Sequence, residues 1–451
     1  MNKELPAAEK ENERTIRELV LAKDGAWTWF NDPRALFHKG RLYFGYVKRA
    51  TSRPALSVYD PETGRITELF EIHFSCDDRD DHDNPAIAVL PSGKLFVSAA
   101  PHNSVPRYSF YYRVSRNIAP LLTDDWESQG EFEHAQTTSY QNLFVLSGEN
   151  GRLYNFHRSI GWNPCLTVSD DEGRTWSTLR RFIGTEKRSR PYVKFASNGI
   201  DRIDVIYTDG HPNETPSNSV YHCYIRNGRV HRTDGSVIKS LDDLPLWHDK
   251  GEHGSLIYDC LAPCPASPFL KGQAWILDIA HDAEGNPICL FQTQQMSVGG
   301  EGWKGIRISY HYAGWKVDHG WQTQLIGQAG RPLYEKETHY AGGMAIDAAD
   351  PRIIYISSNA ADPFDRGRPD VPLGKNERYE IYRGIMQDDS TSFEWTPVTA
   401  GSAADNIRPY VPRGSNPGSA LLWLNGSYDS YTDFYTRVMG RFDESIHHVV
   451  R

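Results

Sequence analysis

The chain has 451 residues, and 49 Lys and Arg against 58 Asp and Glu give a formal net charge of −9. Hydrophobic residues make up 39% and aromatics 12%, which is ample material for a folded core and excludes a disordered or fibrous chain. No apolar run reaches the roughly 18 residues of a membrane span, and the acidic balance argues against nucleic acid as a partner. Six cysteines are too sparse for a disulfide scaffold of this length. The opening MNKELPAAEKENER lacks the apolar stretch of a secretory leader, so a cytoplasmic location is expected for the sequence as written, and secretion only if a leader has been removed.

Helical periodicity is almost absent; a short turn near Lys10–Leu19 is the one candidate. The rest reads as short β-branched and aromatic runs divided by turn clusters such as Pro61-Glu62-Thr63-Gly64 and Pro91-Ser92-Gly93. A weak repeat organises them. In chain order the units are RALFHKGRLYFGYV from Arg34, NPAIAVLPSGKLFVSAA from Asn84, QNLFVLSGENGRLYNF from Gln141 and RPYVKFASNGIDRIDVIYTDG from Arg190. QAWILDIAHDAEGNPICLFQ from Gln273, YAGGMAIDAADPRIIYISSN from Tyr340 and RPYVPRGSNPGSALLWLNGSY from Arg408 complete the series. These seven hairpin units predict an all-β fold, a seven-bladed β-propeller with four-stranded blades spanning 1–451 as one domain. Residues 15–22 are expected to lend the last blade a strand and close the ring, residues 1–14 to form a tail, and 241–267 to form a long inter-blade insertion that borders or braces the cleft. A large β-sandwich is the competing architecture.

Ser169-Asp170-Asp171-Glu172-Gly173-Arg174-Thr175-Trp176 fits S-x-D-x-G-x-T-W and resembles the Asp box of sialidase-type propellers. Its expected role is structural: the Asp carboxylate serves turn amides and the Trp packs between blades. Hairpin arithmetic then places the polar residues. Paired positions across an antiparallel turn keep a constant index sum. A turn at Ser92–Gly93 therefore sets His82 opposite His102 or Asn103, at the open end of the second unit. Applied to every unit, the rule gathers Lys48, Arg49, His82, His102, His157, Arg158, Arg190, His211, His339 and Arg408 on one face. Cations and imidazoles concentrated at one mouth of an acidic protein favour an anionic ligand.

The segments DDHDNPAIAVLPSGKL from Asp80, RPYVKF, YTDGHP, HYAGGMAID and NIRPYVP with LLWLNGSYDSYTDFYT resemble the BNR-4-type seven-bladed propellers, a group similar to ulvan lyases and to enzymes cleaving rhamnose–glucuronate linkages. The similarity runs from about Trp27 to Tyr435. The resemblance implies an active-site histidine pair about twenty residues apart, matched by His82 and His102, and a catalytic tyrosine, best matched by Tyr192. It also implies an arginine. The place for it near YTDGHP reads Asn213-Glu214, and Arg190 is taken in its stead.

The residue types suit uronate β-elimination. Loss of the C5 proton builds negative charge on the sugar carboxylate, which a cation must neutralise. A neutral His or tyrosinate takes the proton, and an acid protonates the leaving O4. His82, His102 and Tyr192 are thus the candidates for proton transfer and Arg190 for neutralisation. Lys48, Arg49, His157, Arg158, His211, His339 and Arg408 are candidates for binding an acidic glycan. Two alternatives stay open: a glycoside hydrolase acting on rhamnose–glucuronate linkages, and a non-catalytic carbohydrate-binding propeller. The chemistry requires no cofactor. His253, Cys260 and Cys264 are a candidate structural zinc set near His248, with buried free thiols as the competing reading, and a channel calcium is allowed by the resemblance alone.

Overall fold

The computed structural model of the chain describes residues 16–74, 78–102, 108–134, 137–186, 189–215, 217–262, 272–296, 301–364, 378–387 and 392–443. Among these, the strands form seven antiparallel blades, and the helical content is confined to single 3₁₀ turns. The first blade consists of Ala35–His38, Arg41–Lys48, Arg53–Asp60 and Arg65–Glu71. The innermost strands of the next five are Ala86–Val89, Ser139–Leu146, Val193–Ser197, Gln273–His281 and Met344–Ile346. The seventh comprises Asp405–Tyr410, Ala420–Ser430 and Asp433–Asp443, with Ile16–Ala22 as its outer strand.

Blades packed on both faces need strands that are apolar on both faces. Arg41–Lys48, RLYFGYVK, accordingly buries six consecutive residues between its two ends. Its hairpin turns on Lys39 and Gly40, both at positive φ (48° and 74°), the conformation that matches strand twist in a two-residue turn. Gly45 in this strand is fixed by its neighbour: a Cβ there would lie 2.4 Å from Pro85, at the entry to the second blade.

The expected closure is present. Ile16–Ala22 pairs antiparallel with Asp433–Asp443, from Ile16↔Asp443 to Ala22↔Val438. Ile16–Leu19 is therefore strand, not the end of a helical turn; Lys10–Thr15 lie outside the described residues. The fourth blade has six strands: Val193–Ser197, Arg202–Thr208, Val220–Arg226, Arg229–Arg232 and Val237–Ser240 follow one another, and Ser255–Tyr258 adds beside Val220–Arg226. Leu246–Trp247 pairs in parallel with Ile183–Gly184, so the described part of 241–267 braces the third and fourth blades. In the Ser169–Trp176 turn, Asp171 accepts from Thr175 N and Thr175 Oγ1 (2.8 and 2.6 Å), while Trp176 packs on Phe110 of the second blade, ring centroids 5.2 Å apart.

Residues 23–34 run through the middle of the ring. Thr28 N donates to Asp81 O, Asp32 N to Gln141 O, Trp29 Nε1 to Ile276 O and Trp27 Nε1 to Arg408 O, contacts that reach four different blades. Trp29 and Phe30 meet Trp275, Tyr340, Tyr140 and Tyr192 at centroid distances of 4.7 to 5.5 Å, an aromatic plug across the channel. Each such ring removes on the order of 150–250 Å² from water, worth several kcal/mol at ~25 cal/mol/Å². The plug is the floor on which the mouth residues stand.

Candidate active site

The second blade enters the ring through Asp80-Asp81-His82-Asp83-Asn84, a 3₁₀ turn over Asp81–Asp83 capped by the Asp80 side chain, which accepts from His82 N at 3.0 Å. Pro85 holds Asn84 extended and ends the turn. Asn31 of the plug donates to His82 O (2.7 Å) and to Asn84 Oδ1 (3.0 Å), which fixes the turn from inside.

The second-blade register, Ala86↔Ser98 through Val89↔Leu95, has an index sum of 184 and carries His82 to His102. Their rings stack at 4.3 Å, 17° from parallel. Asp80 clasps both: Oδ1 lies 2.5 Å from His82 Nδ1 and Oδ2 lies 2.7 Å from His102 Nδ1. A carboxylate only accepts, so both Nδ1 atoms carry hydrogen. His82 Nε2 pairs with the Tyr340 hydroxyl at 2.9 Å. His102 Nε2 faces away from the carboxylate, and its side chain retains 14% exposure.

Burial raises Asp80, but the two imidazoles outweigh it and hold the carboxyl well below its ordinary range. Burial pushes His102 down to about 4 against the pull of Asp80, with His82 and Arg158 adding to the shift. At neutral pH, His102 is therefore an uncharged base.

Opposite the pair stands Tyr140, 5.5 and 5.7 Å from the two imidazoles by centroid. Burial raises its phenol well above the ordinary value, so it keeps its proton, and its hydroxyl is buried without a hydrogen-bond partner. Tyr140 and Arg408 lie within the inner strands of their blades and Arg190 just before that of the fourth, with φ of 58°, 54° and 54°, a left-handed conformation uncommon for large side chains and frequent at binding sites. Arg158 lies over Tyr140, guanidinium to ring 4.3 Å, and donates from Nη1 to the Tyr192 hydroxyl at 3.0 Å. It is 6% exposed, and its Nη2 is buried without a partner. Burial opposes its charge, yet Tyr140, Tyr192 and Asp80 together raise its pKa.

The model of the BNR repeat-containing family, BNR_4, matches residues 41–329, well over half the sequence. The chain belongs to this family. Among solved structures, the BNR_4 propeller is similar to a PL25 ulvan lyase bound to -[GlcA(1-4)Rha3S]-, with 14% identity, TM-score 0.66, and coverage of 94% of this chain and 95% of that one. A second structure of a PL25 ulvan lyase gives a TM-score of 0.65 at 14% identity with the same coverage, and polysaccharide lyase Uly1 gives 0.51 at 11%, covering 95% of this chain and 99% of that one. The comparison with curated proteins finds no match.

The other sequence candidates of the BNR_4 propeller divide. Tyr192 adjoins His211, ring centroids 5.3 Å apart. Burial, aided by Arg190 and Arg158, lowers His211 to about 3. His339 bonds through Nδ1 to Asn213 Oδ1 (2.9 Å), and its Nε2 is buried without a partner. His157 is buried against Thr138 Oγ1 at 3.0 Å. Arg190 stands at the rim, its charge already met by Glu214, Nε to Oε2 3.0 Å. Lys48 is spent on Glu68 and Glu71 at 3.0 and 2.8 Å, and Arg49 lies over the Tyr435 ring.

Arg408 is no open mouth cation. It is buried against Asp81, Tyr428 and Trp27 O, because the plug and the Asp81 turn close over it. Arg408→Ala would leave Asp81 uncompensated, so unfolding free energy should drop by about 3–5 kcal/mol, whereas joint replacement of Arg408 and Asp81 by Met and Leu should restore most of it. Denaturant melts of the two variants measure this.

Two members of the expected zinc set lie among the described residues. His253 Nδ1 faces Gly254 O, Cys260 is a free thiol, and Cys264 lies outside the described residues. Among the described residues, the one group of His, Cys, Asp and Glu close enough to hold a metal is Asp80, His82 and His102, where two of the ring nitrogens already bond the carboxylate.

Sequence reasoning passed over Asp80, Tyr140 and Tyr340 as site residues. The signal for the first was on the page: His82 sits within a run of four carboxylates from Asp78 to Asp83, with Arg79 between. Glu337 was also missed; its Oε2 accepts from Asn213 Nδ2 at 2.6 Å, and burial raises it against the opposing fields of His82 and Arg190.

Proposed function

We propose that the chain is a polysaccharide lyase that cleaves a uronate-containing glycan by β-elimination. The observation that carries this reading is the Asp80 clasp: one carboxylate holds two stacked imidazoles, of which His102 is neutral, beside a buried, protonated tyrosine and a buried arginine. Arg158 rather than Arg190 is assigned the sugar carboxylate, since its Nη2 has no partner while Arg190 is paired. Charge developing on that carboxylate meets a fixed cation in a site shielded from water. His102 Nε2 takes the C5 proton. Tyr140, held protonated, donates to the departing O4. His82, locked between Asp80 and Tyr340, positions Asp80 and packs against His102. The ulvan lyase likeness supports a glucuronate–rhamnose linkage as the substrate class.

Incubation with uronate oligosaccharides, followed at the absorbance of the unsaturated uronate product, tests the proposal. New absorbance supports elimination; chain cleavage without it defeats the reading. One observation favours hydrolysis as the second reading. The raised pKa of Glu337 suits a general acid beside His211, and hydrolysis would release reducing ends with no absorbance.

The pH dependence follows from His102. Its folded value of about 4 lies below the ordinary 6.5, so between these values the unfolded chain takes up a proton that the folded chain does not. This group's contribution makes stability decline as pH falls from about 6.5 towards 4, and the base form persists to about 4. The acid limb of kcat/KM is therefore expected near pH 4. A limb near 6.5 would assign the base elsewhere.

A further inference from the structure

Beneath the aromatic plug the channel holds a second group of charges. Arg34, Lys194 and Arg408 line a small, narrow-mouthed cavity with Trp29, Asp278 and Tyr410. The cavity leaves about 10 Å³ for the centre of a water-sized body, room for one water or one small ion. Arg34 and Arg408 are 3% and 2% exposed, and the Nε–H of each has no hydrogen-bond partner.

The ammonium and the carboxylates here are committed. Lys194 Nζ donates to Asp32 and to Trp29 O, and Arg34 Nη2 to Asp32 Oδ1 at 3.1 Å. Asp278 accepts from Ile279 N and Ile346 N, both at 2.9 Å. Arg413 adds its charge from beside Tyr410, Asp278 and Asp32. Among the described residues of this layer, the cations Arg34, Lys194, Arg408 and Arg413 face the carboxylates Asp32, Asp81 and Asp278, one positive charge in excess. Tyr410, under the Arg34 guanidinium at 4.4 Å, cannot supply the missing anion, since burial raises its phenol. A calcium, which the family resemblance allows, does not fit: the carboxylates are already engaged and the other charged groups of this layer are cations.

We propose that this cavity is a binding site for a monatomic anion of chloride's size, held by the Nε–H groups of Arg34 and Arg408 beside the Lys194 ammonium. The anion balances the excess charge and, through Arg408 and its partner Asp81, steadies the turn that bears His82. The inference is independent of the reaction performed above the plug.

The test uses the whole protein. Crystals soaked in sodium bromide are examined for anomalous scattering, and thermal melts are run in sodium chloride and bromide against sodium gluconate at equal ionic strength. Expected are a bromide peak in the cavity and a melting temperature that rises saturably with halide but not with gluconate. Arg413→Gln removes the excess charge without altering the cavity wall, and should fold with the halide dependence lost. Absence of the bromide peak overturns the proposal, as does a melting temperature that follows ionic strength alone. A peak without a halide-specific rise in solution is binding at crystal concentration only, and overturns it equally. If the variant fails to fold, the measurements on the unaltered protein decide.

Discussion

Replacing His102 with alanine is expected to slow elimination by about 10²–10⁴-fold, the contribution of a positioned proton acceptor, while the melting temperature stays close to that of the parent. His102 lies at the cleft edge, and its side chain bonds only Asp80 among the described residues. His82→Ala removes a more deeply buried ring that also holds the Tyr340 hydroxyl, so it should cost stability as well as rate. If Asp80 makes one unit of the pair, the double variant will be little slower than the worse single variant. The checks are single-turnover rates at the unsaturated-product wavelength, with melts as control. Near-normal turnover in both single variants would defeat the lyase reading. Lost activity together with a collapsed melt would make the histidines structural.

The second large effect separates two arginines. Arg158→Ala should lower kcat/KM by about 10²–10³-fold, because a fixed donor at the developing carboxylate charge acts chiefly in the transition state. Arg190→Ala should raise KM only a few-fold, since a partly exposed cation already paired with Glu214 has little net attraction left for a substrate. Steady-state kinetics on both variants decide the assignment. A severe loss with Arg190→Ala and a mild one with Arg158→Ala would return the neutralising role to the rim.

That reversal marks where sequence reading stops. The repeat units and their turns suffice for the blade count, the closing strand and the pairing of His82 with His102, because hairpin register is local: the index sum of 184 follows from one turn. Depth is not local. Arg190-Pro191-Tyr192 and Arg408-Pro409-Tyr410 share a motif and a φ of 54° at the arginine, so repeat equivalence treats them alike. One arginine meets Glu214, 24 residues on, at the rim. The other meets Asp81, 327 residues away, in the core. Such partners are set by which blades ring closure brings together, and no periodicity in the chain encodes that. The plug was equally hidden: residues 23–33 fall between the closing strand and the first repeat unit, and only the closed ring turns them into the floor of the site.

The plug also orders events in time. Its residues follow directly on the strand that closes the ring, and that strand pairs with the last one, Asp433–Asp443. As a ribosome delivers the chain, the plug segment emerges before the blades, yet the strand that tethers it waits for a partner made more than 400 residues later. Six blades can stack before this final pairing, but the turn bearing His82 has no inner support until Asn31 and Thr28 reach it. The geometry at the mouth thus depends on Ile16–Ala22 having met Asp433–Asp443. A partly made propeller would carry the mouth side chains of its finished blades without the floor that aligns them.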